Sequence, residues 1–425
     1  MSSKNNEQVW VIPNAFEILM YKAEKAKRFK QGILWKNHKE LISSEKIVYN
    51  KKDKLLIREL LFNPMPAEFR GKYWLIISGA KQEIINNPGY YNKLKKLAKI
   101  APNFPYKKSI SLDLRRTFPS IEYFKKQENL DKLRDILQAF SLRNSISIGY
   151  CQGFNFIVAQ ILLVLDDEEQ TFWVFTKILE DFLPLDFYLK FSGVRIDMSL
   201  AQSIISKTLV FINKNEGLTL CINNLISRCF ISLYSETLEI DVLRNIWDAF
   251  FIYGEIVLYR AFIWIAYLFC DNTLKNKDVE AVNEYIDNKM RQTNDSNNLN
   301  YFLFMYDGIN NNKLKQWKKM IENSVEKETF KGSNNSKKDI KCDKSMPYCL
   351  YNKDNEDIKK QSRFIIHKMN HKIELDDNYF DDINNKDNKN INNNINNDII
   401  NVENNNELNI SQDSLLIQRQ KHCCP

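Results

Sequence analysis

The chain has 425 residues, 44% hydrophobic and 12% aromatic, enough to bury a core in one large or two ordinary domains. Its formal net charge of +8 is a small excess, and no basic stripe is interleaved with aromatics, so a nucleic-acid surface is not expected. Eight scattered cysteines, adjacent only at Cys423 and Cys424, with no apolar opening segment, suit reduced thiols in a cytoplasmic protein better than a disulfide framework.

Only 11 Gly and 10 Pro occur, and none of the prolines lies between Pro184 and Pro347, an interval suited to uninterrupted helices. The expected fold class is therefore all-α, a multi-helix array. Residues 1–53 read as an N-terminal helical extension, in which YKAEKAKRFKQ, residues 21–31, alternates charge as a solvated helix face does. The main folded domain is expected over 54–331. Its longest uncharged run, Asn144 to Leu165, contains Gln152, Asn155, Gln160 and two glycines, which suits a helix buried in protein rather than in lipid.

In QTFWVFTKILEDFL, residues 170–183, Phe172, Phe175, Ile178, Leu179 and Phe182 share one helical face with Lys177 and Glu180 opposite. The preceding DDEE places negative charge where a helix N-terminus favours it. LRNIWDAFFIYG, residues 243–254, has the same period and ends on Gly254 as a C-cap. AFIWIAYLFC, residues 261–270, is too short to cross a bilayer. From 332 to 425 the composition turns polar, nearly half Asn between Asp381 and Ile410, and a disordered tail is expected. One island in it, residues 363–375, could form a short amphipathic helix.

The chemistry is narrowed first by what is missing. His38 is the only histidine before His367, so a Ser-His-Asp triad, a histidine general base or a His-ligated catalytic zinc is not expected in the folded domain. No GxxxxGK[ST], GxGxxG or kinase catalytic loop occurs, so no nucleotide pocket and no cofactor of its own are expected. Cys342, Cys349, His367 and His371 include an H-x3-H pair, but the cysteine spacing is too wide for a zinc knuckle, and no metal site is assigned.

Two stretches remain: SISLDLRRTFPS, residues 109–120, and IGYCQGFN, residues 148–155. An arginine presents a permanently charged planar fork that suits phosphate oxygens, and a glutamine amide both donates and accepts, so together they position and stabilise without exchanging protons. Phosphoryl transfer needs that help, because its loose transition state is served by charge stabilisation and water positioning.

The ordered set AEFRGKYWLIISG (67–79), ISLDLRRTFP (110–119), IGYCQGFN (148–155), EEQTFWVF (168–175) and IWDAFFIYG (246–254) resembles the TBC domains of Rab GTPase-activating proteins. The resemblance covers about residues 54–304. It implies catalytic activation of a GTP-bound Rab-type GTPase, which carries the GTP and Mg2+, with the chain reaching membranes indirectly through the Rab. By position, the family's IxxDxxR pattern falls on Ile110, Asp113 and Arg116, making Arg116 rather than Arg115 the arginine finger. Its YxQ pattern falls on Tyr150 and Gln152, and the glutamine is implied to replace in trans the GTPase's own water-positioning glutamine. Asp113 is expected to hold the guanidinium, Tyr150 to pack on the finger loop, Gly153 to allow close backbone approach and Asn155 to make a buried hydrogen bond.

Bland alternatives exist for each: an Arg pair before Pro119 is commonly a surface ion-pair element, and a Gln in an apolar run a satisfied core group. Trp247 reads as core and Asp248 as a partner of a helix end or an arginine. Departures from the family pattern occur at Asn63-Pro64-Met65-Pro66, Cys229-Phe230, Glu239 and Asn245, away from both fingers. The alternative function is a non-catalytic Rab-binding effector or scaffold. The paired retention of Arg116 and Gln152 argues against it.

Overall fold

A computed structural model describes residues 15–332, apart from 31–33, 101–105, 145–146, 185, 190–191, 209–214, 270–277, 293–295 and 307. The chain divides into two units, residues 1–349 and 350–425, and every described residue lies in the first. The polar tail from 333 on, with its 363–375 island, its Cys and His residues and Cys423-Cys424, lies outside the described residues.

Every regular element among the described residues is helical, as the proline and glycine usage leads one to expect. In chain order they are α1 (Ala15–Lys30), two short 3-10 turns (Trp35–Asn37 and Lys39–Ile42), α2 (Lys51–Leu60), α3 (Ala67–Ile77), α4 (Ala80–Asn86) and α5 (Tyr90–Ile100). Then follow α6 (Lys107–Leu114), α7 (Glu122–Lys125), α8 (Gln127–Arg143), α9 (Phe154–Leu165) and α10 (Glu168–Lys177), which runs into a π turn over Ile178–Phe182. The rest are α11 (Ser192–Thr208), α12 (Glu216–Ile231), α13 (Ile240–Tyr253), α14 (Ile256–Leu268), α15 (Val279–Gln292), α16 (Ser296–Phe304) and α17 (Asn311–Gly332). No described helix is long and apolar enough to cross a membrane.

Local signals place many of the helix ends. Asn50 and Asp53 form a reciprocal capping box at the start of α2, and Asp167 accepts from the Gln170 amide to cap α10. Gly254 ends α13 with φ of 73°, its amide donating to the Phe250 carbonyl. The expected helix over 144–165 starts later than the uncharged run does. Residues 147–148 and 152–153 are turns joined by an irregular link, with positive φ at Gly149 and Gly153, and α9 begins only at Phe154. Apolarity marks that segment as buried but does not by itself make the backbone helical.

One buried core runs through the described helices, with Trp74, Trp247 and Trp264 among its largest fully buried side chains. Trp247 is thus core, and its indole donates to the Leu233 carbonyl at 3.0 Å. Asp248 joins sequence-distant helices: it receives Arg70 Nε at 3.0 Å and the Trp74 indole at 2.7 Å, fixing α3 against α13. A buried carboxylate needs such donors to offset its lost hydration. Three of the four family-pattern departures take ordinary structural places in the fold. Met65 offers its carbonyl to Arg70, Cys229 and Phe230 are buried in α12, and the Glu239 carboxylate caps α13.

Candidate functional site

The site lies where the end of α6 meets the start of α9. α6 and α8 pack together, as do α8 and α9, so the 115–118 turn and the 150–153 turn are held side by side. α6 carries Ile110 into the core and closes at Leu114, placing Asp113 on its last turn and Arg116 just beyond. Pro119 follows, and Phe118 between them takes a left-handed φ of 43° while its ring meets Phe156 edge-on at 5.3 Å.

Asp113 is the anchor. Its side chain is 11% exposed, and its Oδ1 accepts from Arg116 Nε at 2.9 Å while its Oδ2 accepts from the Tyr150 hydroxyl at 2.6 Å. Burial, reinforced by the Asp113 charge, pushes the Tyr150 hydroxyl well above its ordinary pKa, so it stays a donor. Binding Arg116 through Nε leaves both Nη groups pointing away from the clamp. The Arg116 side chain is 41% exposed, with the Phe156 ring 5.8 Å beneath its guanidinium carbon.

Gln152 is also exposed. With its amide turned so that the oxygen faces the guanidinium, it accepts from Arg116 Nη1 at 3.0 Å and Nη2 at 2.6 Å. The two finger candidates thus touch each other, over a floor of Asp113 and Tyr150. Arg115 is exposed at the same turn and shares neither contact.

Gly153 has φ of 110°, and a Cβ there would sit 3.1 Å from Ile231 Cγ2 and 3.3 Å from the Ile231 carbonyl. This is the close approach read from the sequence, and it is made by the end of α12. Asn155 is fully buried. Its Oδ1 accepts from the Gly153 amide at 3.2 Å and its Nδ2 donates to Thr117 Oγ1 at 2.8 Å. Thr117, 1% exposed, in turn donates to the Asp113 carbonyl at 2.7 Å. All six residues singled out from the sequence therefore fall in one place, joined by two that were not, Thr117 and Phe156. Glu236, after α12, was not singled out either: desolvation raises its pKa, while attraction to Arg228 and then Arg116 opposes the rise.

Among the described residues no group of three or more His, Cys, Asp and Glu side chains is placed to hold a metal ion. What the arrangement offers chemically is a pre-oriented guanidinium and an adjacent amide, both open to an incoming surface.

Residues 67–274, just under half of the chain, match the family model for the Rab-GTPase-TBC domain. The chain is 34% identical over 208 residues to mouse TBC1 domain family member 2A, and 30% identical over 208 residues to Xenopus laevis growth hormone-regulated TBC protein 1. Each alignment covers 48% of this chain, but only 22% and 60% of those relatives respectively. In fold, the chain is similar to the crystal structure of the Chlamydomonas flagellar RabGAP TBC domain, with a TM-score of 0.55 at 22% identity. That match covers 71% of this chain and 99% of the other. With the family motifs in order on an all-helical fold of the same kind, this chain is a TBC domain protein.

Proposed function

We propose that this chain is a GTPase-activating protein for a Rab-family small GTPase, supplying Arg116 and Gln152 in trans to the GTP-bound partner. The observation that carries the reading is the joint presentation, on adjacent turns of a TBC domain, of an exposed clamped guanidinium and an exposed amide. The nucleotide and its Mg2+ belong to the partner. Asp113 fixes the guanidinium plane through Nε, so the two Nη groups are those that meet phosphate oxygens.

When a GTPase docks, phosphate oxygens replace the Gln152 oxygen as acceptors for Nη1 and Nη2. The released amide then turns to the attacking water, which it positions by accepting and donating hydrogen bonds. Neither residue exchanges a proton, and the barrier falls through charge stabilisation and orientation. On this reading the protein works in the cytoplasm in vesicle trafficking, and it reaches endomembranes through the Rab it engages.

The test is phosphate release from a panel of GTP-loaded Rab proteins with the purified chain. At least one Rab is expected to be accelerated, and Arg116→Ala is expected to remove the effect. A panel in which none is accelerated, while one or more binds only in its GTP form, would replace this reading with the effector one.

A further inference from the structure

Arg116 and Gln152 come from turns thirty-odd residues apart in sequence, yet the residue after each is tied to the other. Thr117 follows Arg116 and Gly153 follows Gln152. Between them stands one buried amide: Asn155 donates to Thr117 Oγ1 at 2.8 Å and accepts from the Gly153 amide at 3.2 Å. The Thr117 hydroxyl spends its single proton on the Asp113 carbonyl at 2.7 Å, so its oxygen remains available to Asn155. Every polar atom in this bridge is paired within the protein, and Thr117 and Asn155 are 1% and 0% exposed.

We infer that the Thr117–Asn155–Gly153 bridge is a positioning device that sets the register of the glutamine turn against the arginine turn, with the Thr117 hydroxyl as its anchor on the arginine turn. The inference rests on the GTPase-activating reading for its catalytic consequence, but not for its mechanical one. Thr117 touches neither the phosphate nor the water and acts through its neighbours. Its position matters because two groups that meet one transition state from separate turns lose their advantage once either drifts by about 1 Å. A buried hydrogen-bonded link resists that drift better than packing alone, since breaking it leaves a polar group unpaired away from water.

Thr117→Val keeps the shape and removes the hydroxyl, leaving Asn155 Nδ2 without its acceptor, whereas Thr117→Ser keeps the link. Amide hydrogen exchange on the free protein reads the mechanical part. Thr117→Val is expected to raise exchange at Gly153 by about tenfold or more, with α14 protection unchanged, and Thr117→Ser to restore the wild-type rate. Unchanged exchange at Gly153 would overturn the inference whatever the protein does to GTPases.

Single-turnover hydrolysis with a Rab that the wild-type chain accelerates reads the catalytic part. Thr117→Val is expected to cut the maximal rate by about tenfold or more with half-saturation within about twofold, and the loss is expected to shrink to about twofold in a Gln152→Ala background. An equal loss in both backgrounds would make Thr117 an ordinary stabilising residue. Should Thr117→Val be recovered unfolded, Thr117→Ala, which adds no buried methyl against Asn155, carries the same comparisons with the same expected and contradicting results.

Discussion

Arg115 and Arg116 are adjacent and both exposed, yet only Arg116 is held by Asp113 and touched by Gln152. Arg116→Lys keeps the positive charge and discards the fork, so it is expected to lose most of the acceleration, on the order of 10³-fold. Arg115→Ala is expected to stay within a few-fold of wild type. Both are read by single-turnover GTP hydrolysis, and equal losses would move the finger to Arg115 or to the pair. At this scale the sequence was informative about identity and poor about connection. The three-residue spacing of Asp113 and Arg116 signals a contact, and it is made where α6 closes into the following turn. Nothing in RRTFP signals that the threonine reaches Asn155, because such a bond depends on how two turns lie in space.

The start of α9 shows what an element can hide. An uncharged run from Asn144 to Leu165 carries one apolar signal, while the turns inside it are set by backbone geometry at Gly153. With φ of 110° and Ile231 within 3.3 Å of a modest side chain, Gly153→Ala is expected to destabilise the domain by about 1–3 kcal/mol, through backbone strain and crowding. It should also displace Gln152, so denaturant midpoint and rate of activation are expected to fall together. A midpoint equal to wild type would mean that the turn relaxes freely and is not a rigid mount. The C-cap at Gly254 and the acidic start of α10 were legible because helix ends are local chemistry, whereas the Asp167 cap itself and the packing of Gly153 against α12, a distant part of the chain, were not.

At the scale of the molecule, charge pairs tie distant helices together. Asp248 was readable as a structural partner, but its arginine, Arg70, lies 178 residues away and only the fold identifies it. A second cluster joins α11 and α17. Lys318 meets Asp197 at 2.6 Å and also Glu255, while Tyr259 donates to Asp197 at 2.6 Å. Two carboxylates share one ammonium there, and burial pushes Asp197 up to about 7. A carboxylate raised above its ordinary value of 3.8 binds more protons folded than unfolded. Its favourable contribution is therefore present below about pH 4 and is lost as pH rises toward 7. Wild-type melting temperature is expected to fall relative to Asp197→Asn across that window, by about 2–4 °C for each 1 kcal/mol lost. Parallel curves for the two proteins would show that Asp197 is ionised throughout.

The central claim is that Arg116 and Gln152 act together in trans, and a GTPase lacking its own water-positioning glutamine tests it most directly. Single-turnover hydrolysis is measured on a Rab that the wild-type chain accelerates and on the same Rab with that glutamine replaced by leucine, using wild-type, Arg116→Ala and Gln152→Ala proteins of equal helical content. The account predicts that the wild-type chain still accelerates the leucine-substituted Rab, because the missing amide is supplied by Gln152, and that Gln152→Ala abolishes this rescue. Acceleration of the unaltered Rab with none of the leucine-substituted one would contradict it, leaving Gln152 as a structural partner of Arg116.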